Sequence, residues 1–196
     1  VSLGASPMLS AYLLPDLLAR FSVLHPDVSF DIHQSDSSGV LRALRTGRFD
    51  LGLTGMDAPD EDLVFTPFYQ DAMVLIAPNT PEFSAAKAQN MPLAALLQSY
   101  PLLLREEGSG SQRSADDFLR AAGLKTDALH VAARLNDQES IKNLVAAGLG
   151  LAIVSAVSVA RERDRGDLLL FPLADAARSF YIVTRRHDFL SPAARQ

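Results

Sequence analysis

A chain of 196 residues, 48% hydrophobic and 21% charged, has the make-up of an α/β protein and room for one ordinary domain or two small ones. It has no cysteine, which excludes a disulfide framework and a thiolate metal site and fits a reducing compartment. The net charge of −5, with Lys and Arg scattered along the chain, argues against direct binding of nucleic acid by this chain. No apolar run approaches the roughly 20 residues of a membrane span. The chain opens without Met and directly in strand-like residues, with no charged n-region or h-region. That predicts a processed protein or a fragment cut at a domain boundary.

Residues 1–3 are a short apolar run closing in Gly4-Ala5-Ser6-Pro7, which predicts a strand feeding a helix. Ser6 stands at the N-cap and Pro7 at the first helical position, where its missing N–H costs nothing. A junction of this kind offers unpaired N–H groups and a positive helix end to an anion. Pro15 predicts a kink, or a helix that properly begins later. His25-Pro26-Asp27 makes a turn, and residues 28–33 alternate as a half-buried strand. Ser37 or Ser38 supplies the next N-cap, Val40, Leu41 and Leu44 the buried face, and Gly47 the residue just past the helix end. A third strand over 49–54 closes in Thr54-Gly55. Strand, helix, strand, helix, strand is the signature of a parallel sheet with right-handed crossovers.

The acidic stretch 57–62 reads as a solvated loop. Residues 63–69 and 72–78 read as two strands separated by Gln70-Asp71, residues 79–92 as loop, and 93–98 as a short helix. Leu102-Leu103-Leu104 is a buried strand running into Arg105-Glu106-Glu107-Gly108-Ser109-Gly110-Ser111, with a helix over 114–122 ended by Gly123. Alternation over 129–135 predicts another strand, and Asn136 three residues before Glu139 a capping box opening a helix over 137–147. A strand over 151–154 ends at Ser155, late strands cover 168–173 and 180–184, and Ser191-Pro192 starts a final helix. The second half repeats the plan of the first. Two α/β units of like plan make a cleft where their strand ends face each other, and ligands of open parallel sheets sit at such ends.

Ser6, Ser37, Thr54, Ser109, Ser111, Asn136 and Ser155 all fall at strand ends or helix starts. Each alone is explained as a cap or turn residue worth about 1 kcal/mol of helix stability. As a set they make a pocket of neutral donors and helix ends that holds a carboxylate, sulfate or phosphate without a buried lysine. Enzymatic signals are weak. Gly4-Ala5-Ser6-Pro7-Met8 lacks the closing glycine of a nucleophile elbow, and Gly108-Ser109-Gly110-Ser111 lacks the ending of a phosphate-binding loop. His25, His33, His130 and His187 show no metal-ligand spacing, and Glu106-Glu107 reads as a solvated pair rather than a general base. The expectation is no enzyme, no catalytic residue, no metal and no cofactor.

The ordered set of Gly4-Ala5-Ser6, the turn at His25-Pro26, the run from Thr46 to Leu53, the run from Asp71 to Pro78, Arg105 to Ser111, and Glu139 to Lys142 followed by Ala146 to Ile153 resembles one family over essentially the whole chain. The chain is similar to the effector-binding (regulatory) domain of LysR-type transcriptional regulators. The resemblance implies an α/β, type 2 periplasmic-binding-protein fold: two Rossmann-like subdomains joined by two crossover strands, the first over residues 1–71 plus 178–196 and the second over 72–177. It implies effector contacts at Ser6, Met8, Ser37, Thr54, Gly55, Gly108, Ser109 and Ser111, to which strand-end geometry adds Asn136 and Ser155. Met8 departs from the hydroxyl or small residue many members carry. The family's N-terminal helix-turn-helix is absent from this chain, so DNA contact is expected only in the intact protein. Further implications are a small effector in the inter-lobe cleft, an anion or carboxylate, a homodimer (a tetramer when intact), a cytoplasmic location and no membrane partner. A ligand-driven population shift would carry the signal. The rival readings are a solute-binding protein of a transport system and, third, an enzyme on the same scaffold.

Overall fold

The structure, a computed structural model, describes residues 1–57 and 60–186. The predicted final helix and His187 lie outside these residues. The chain forms two compact units. Unit 1 is Val1–Gln70, Gly108–Gly110 and the described residues from Ser179; unit 2 is Asp71–Glu107 and Ser111–Arg178.

In unit 1, β1 (Ser2–Ala5) is flanked by two parallel neighbours, β2 (Asp31–Gln34) and β3 (Leu51–Thr54), and β3 pairs antiparallel with the end of β8 (Leu168–Arg185). α1 (Pro7–Tyr12) and α2 (Leu14–Leu24) replace the single first helix. The break falls at Leu13, one residue ahead of the new helix, and Pro15 sits in the first turn of α2, where a proline is tolerated. These helices cover one face, with Met8, Leu9 and Leu14 packed on Leu3, Ala5, Leu53 and Phe180. α3 (Ser37–Arg45) covers the other, its Leu41 and Leu44 against Phe49, Leu63 and Val183. Gly47 takes φ +73° and its N–H donates to the Leu44 carbonyl, closing the helix as expected. The half-buried strand predicted over 28–33 is shorter and exposed throughout. β2 begins at Asp31 and is the sheet edge, so only one neighbour covers it.

In unit 2 the order is β4 (Leu63–Pro78), β7 (Leu151–Ser155), β5 (Leu102–Arg105), β6 (Val131–Leu135), with β4 antiparallel to β7 and the rest parallel. β4 alternates between two cores. Met73, Leu75 and Ala77 meet α4 (Pro81–Ala88), α5 (Leu93–Ser99) and α6 (Gly110–Ala121) through Phe83, Leu96, Leu97 and Leu119. Val74 and Ile76 meet α7 (Gln138–Ala146) through Ile141 and Val145. Helices on both faces bury β5 and β7 along their whole length, which is why each is an apolar run up to its last residue, Arg105 and Ser155. α8 (Ala160–Arg165) leads into β8.

Three expectations are corrected. The loop over 79–92 contains α4, with Thr80 at the N-cap position, its side chain making no capping bond, and Pro81 in its first turn. The strand pairs 63–69/72–78 and 168–173/180–184 are single strands, β4 and β8, each passing from one unit to the other. The caps are not the residues expected. Asp36, not Ser37 or Ser38, accepts from the Gly39 N–H at 2.8 Å, and Asp137, not Asn136, accepts from the Ser140 N–H at 2.7 Å.

The Ser140 hydroxyl, then the Ser140 N–H, hold the Asp137 carboxyl below its ordinary value. The Asp137 cap is therefore whole above the ordinary carboxylate range, near pH ~4, and is lost as pH falls through the lowered native value. Asp137→Ala is expected to cost about 1 kcal/mol at neutral pH, and urea melts repeated near pH ~2 should show the gap to wild type narrowing.

Candidate functional site

The parallel strands of unit 1 end together. Ala5 pairs with Gln34 and Leu53, so Ser6, Thr54 and the turn into α3 meet at one carboxyl edge. Ser6 caps α1 by backbone only: its carbonyl accepts from the Ser10 N–H at 2.9 Å and its side chain makes no capping bond, while its own N–H donates to the Leu53 carbonyl at 3.0 Å. Ser37 is 1% exposed, and its hydroxyl has no hydrogen-bond partner among the described residues. The fully buried Thr54 donates its hydroxyl to the Met56 carbonyl at 2.7 Å. Gly108, at φ +87°, lies so close to Asp36 that an added Cβ would stand 2.5 Å from Oδ2. A Cβ on Gly110 would stand 3.0 Å from Gly55 backbone atoms and 3.1 Å from the Ser37 Oγ. Ser37, Gly55, Gly108, Ser109 and Gly110 are thus brought together within unit 1, with Ser109 buried. Met8 is not beside them on a surface; it packs in the core cluster with Leu3, Leu9 and Leu14.

The parallel strands of unit 2 likewise end in polar residues. Ser111, in the first turn of α6, accepts from Arg178 Nη1 at 3.2 Å. Ser155 closes β7, fully buried, its hydroxyl without a partner among the described residues. Asn136 is exposed, and its backbone carbonyl accepts from Arg105 Nη2 at 3.3 Å.

Buried cations are what residue-by-residue reading missed. Arg105 is 4% exposed and pairs bidentately with Glu106, at 2.8 and 2.9 Å, so Glu106 is not a solvated carboxylate. Its Nη1 donates to Gln138 Oε1 at 3.2 Å, and its N–H to Gln112 Oε1 at 2.8 Å. Lys142, also buried, donates to Glu139, Glu162 and the Ser158 carbonyl. Arg178 Nε donates to Asp71 Oδ2 at 3.0 Å, with both side chains out of water. Burial pulls the Arg178 pKa down, while the charge and hydrogen bond of Asp71 hold it up. The expectation of neutral donors without a buried lysine is therefore corrected: Lys142 is buried, and so are two arginines. The signal was faint, since one Arg closes an apolar strand and the other sits in a small-residue stretch between two apolar runs.

The described residues bring no group of His, Asp and Glu close enough to hold a metal ion, and no described helix is long and apolar enough to cross a membrane.

Two α/β units, each with hydroxyls and helix starts at its strand ends and joined by two long crossover strands, define a ligand-sensing domain of the type 2 periplasmic-binding-protein class. The chain belongs to the LysR substrate binding domain family, whose model matches residues 1–196. A probable RuBisCO transcriptional regulator of Cyanophora paradoxa is 30% identical over 198 residues, covering 98% of this chain and 60% of that protein. The CcmR regulatory domain of Synechocystis in complex with 2-PG has a TM-score of 0.83 at 23% identity, covering 100% of this chain and 91% of that one. The effector-binding domain of QuiR in complex with shikimate has a TM-score of 0.79 at 17% identity, with 100% and 91% covered. The chain spans 57–60% of the length of the first curated relatives.

Proposed function

We propose that this domain binds a small anionic effector, that Ser6, Ser37, Ser109, Ser111 and Ser155 are among its contacts, and that the two units are the regulatory subdomains whose rearrangement the effector biases. The whole protein acts on DNA in the cytoplasm through a part outside this chain, and the domain is a binder with no reaction of its own. What carries the reading is the division of labour at the helix starts. Asp36 and Asp137 do the capping, the Ser6 side chain makes no capping bond, and the Ser37 hydroxyl is buried without a partner among the described residues. Buried hydroxyls freed from capping are donors set aside for something else. The family's ligands point the same way: the neighbouring domains are complexed with shikimate and 2-PG. Homodimer formation follows the family's habit, and Leu17, Val23 and Leu24 on α2, with Val23 81% exposed, give it an apolar face.

The test is a thermal-shift screen of small carboxylates, sulfate and phosphate esters. A ligand at a hundred times its Kd adds about 2.7 kcal/mol of stability. Ser6→Ala, Ser37→Ala and Ser109→Ala should each shrink the shift produced by the best hit. Shifts left intact by all three would remove these serines from the site.

A further inference from the structure

Among the side-chain atoms of unit 2 buried with no hydrogen-bond partner among the described residues are Oδ1 of Asp71 and the hydroxyl of Ser155. Asp71 is 5% exposed and Ser155 0%. Folded proteins leave few such atoms, because each forfeits the hydrogen bonds it made to water. These two are neighbours. Met73 on β4 stands opposite Ser155 on β7, and the Ala156 N–H donates to the Ala72 carbonyl, so the pairing runs on toward Asp71. Residues directly opposite in an antiparallel pair share a face, and side chains alternate along each strand. Asp71 and Ser155 therefore lie on one face as diagonal neighbours, about 7–8 Å apart at Cα. It is the face covered by α6, since Met73 and Ile153 share a core cluster with Ala115 and Leu119. At the start of α6 stands Ser111, bonded to Arg178, which in turn is bonded to the other oxygen of Asp71.

We propose that Asp71 and Ser155 form a hydroxyl-reading subsite of unit 2, so that the effector is a hydroxy acid rather than a bare anion. Its acid group meets the donors at the start of α6. Its hydroxyl donates to Asp71 Oδ1 and accepts from the Ser155 hydroxyl. The inference rests on the anionic-effector reading above. Charge selects the hydroxyl over the alternatives. A second anionic group would face a carboxylate oxygen across a low-dielectric interior. An ammonium would add a cation beside Arg178, which already feels the charge of Arg105. A neutral group that can both donate and accept fits one acceptor-only oxygen and one hydroxyl.

The experiment compares matched acids on the intact domain by calorimetry: malate against succinate, lactate against propionate, glyceryl phosphate against propyl phosphate. The expected result is that, in at least one pair, the hydroxylated member binds about tenfold to a hundredfold more tightly, the cost of leaving the two polar atoms unmatched. Ser155→Ala removes a hydroxyl without a partner among the described residues, so its melting temperature should be equal or higher, and it should erase the preference. Asp71→Asn should erase the preference too; if that variant does not fold, Ser155→Ala decides alone. Equal binding within every pair, or a preference that survives Ser155→Ala, overturns the subsite and leaves the anionic reading standing. No binding of any acid overturns both.

Discussion

Arg178→Met is expected to lower the stability of the domain by about 3–5 kcal/mol in urea unfolding at neutral pH, because it strips a buried carboxylate of its cation. The Asp71 side chain is 0% exposed and that of Arg178 7%, so water cannot take over the pairing. Met fills most of the volume of the Arg stem, so the loss reports the charge and not a cavity. The companion variant is decisive. Asp71→Leu combined with Arg178→Met removes both charges and should recover most of the loss, since a buried ion pair replaced by apolar residues is often neutral or stabilising. Arg178→Lys should fall between, keeping charge but lacking the fork that reaches both Asp71 and Ser111. Equal stability of wild type and Arg178→Met would show that this pair is solvated. The position of the pair gives it consequence beyond stability. Asp71, Ser111 and Arg178 are three of the residues at which the segments of unit 2 begin or end, and one guanidinium ties all three.

The same pair explains why both crossover strands read as broken. Gln70-Asp71 looks like a polar gap between two apolar runs, and the stretch around Arg178 looks like a second gap. A lone charge in a strand argues against burial. Two opposite charges 107 positions apart that meet in the fold do not, and no local pattern reports the meeting. Elements governed by short-range rules were legible: the glycine that closes α3, the apolar stripe of α7, the apolar runs of β5 and β7. α4 was not, because its buried side is only Phe83 and Ala86, too short a stripe to show a period. The caps slipped by one residue for a local reason. Asp-Ser and Asn-Asp pairs offer two good acceptors in succession, and in both the carboxylate is the one that accepts from the third helical N–H. The strand-end serines of the candidate site follow from topology and could be named; the cations behind them depend on distant partners and could not.

Gly150→Ala is expected to destabilise unit 2 by about 3 kcal/mol, at or above the upper end of ordinary overpacking. An added Cβ would lie 2.4 Å from the Pro101 carbonyl oxygen and 2.9 Å from its carbon. Both are backbone atoms, so no rotamer change can make room. That carbonyl also accepts the Leu151 N–H at 2.8 Å, the bond that sets β7 beside β5. Relief would mean separating the two fully buried strands on which both cores of unit 2 are packed, where interior density leaves no slack. Gly123→Ala provides the contrast. Nothing lies within 4 Å of its added Cβ, but φ is +74°, so its cost is the conformational one of about 1–2 kcal/mol. Urea melts of the two variants side by side separate steric exclusion from backbone strain. If Gly150→Ala is no more harmful than Gly123→Ala, the close approach of Pro101 to the start of β7 is not what holds these strands in register.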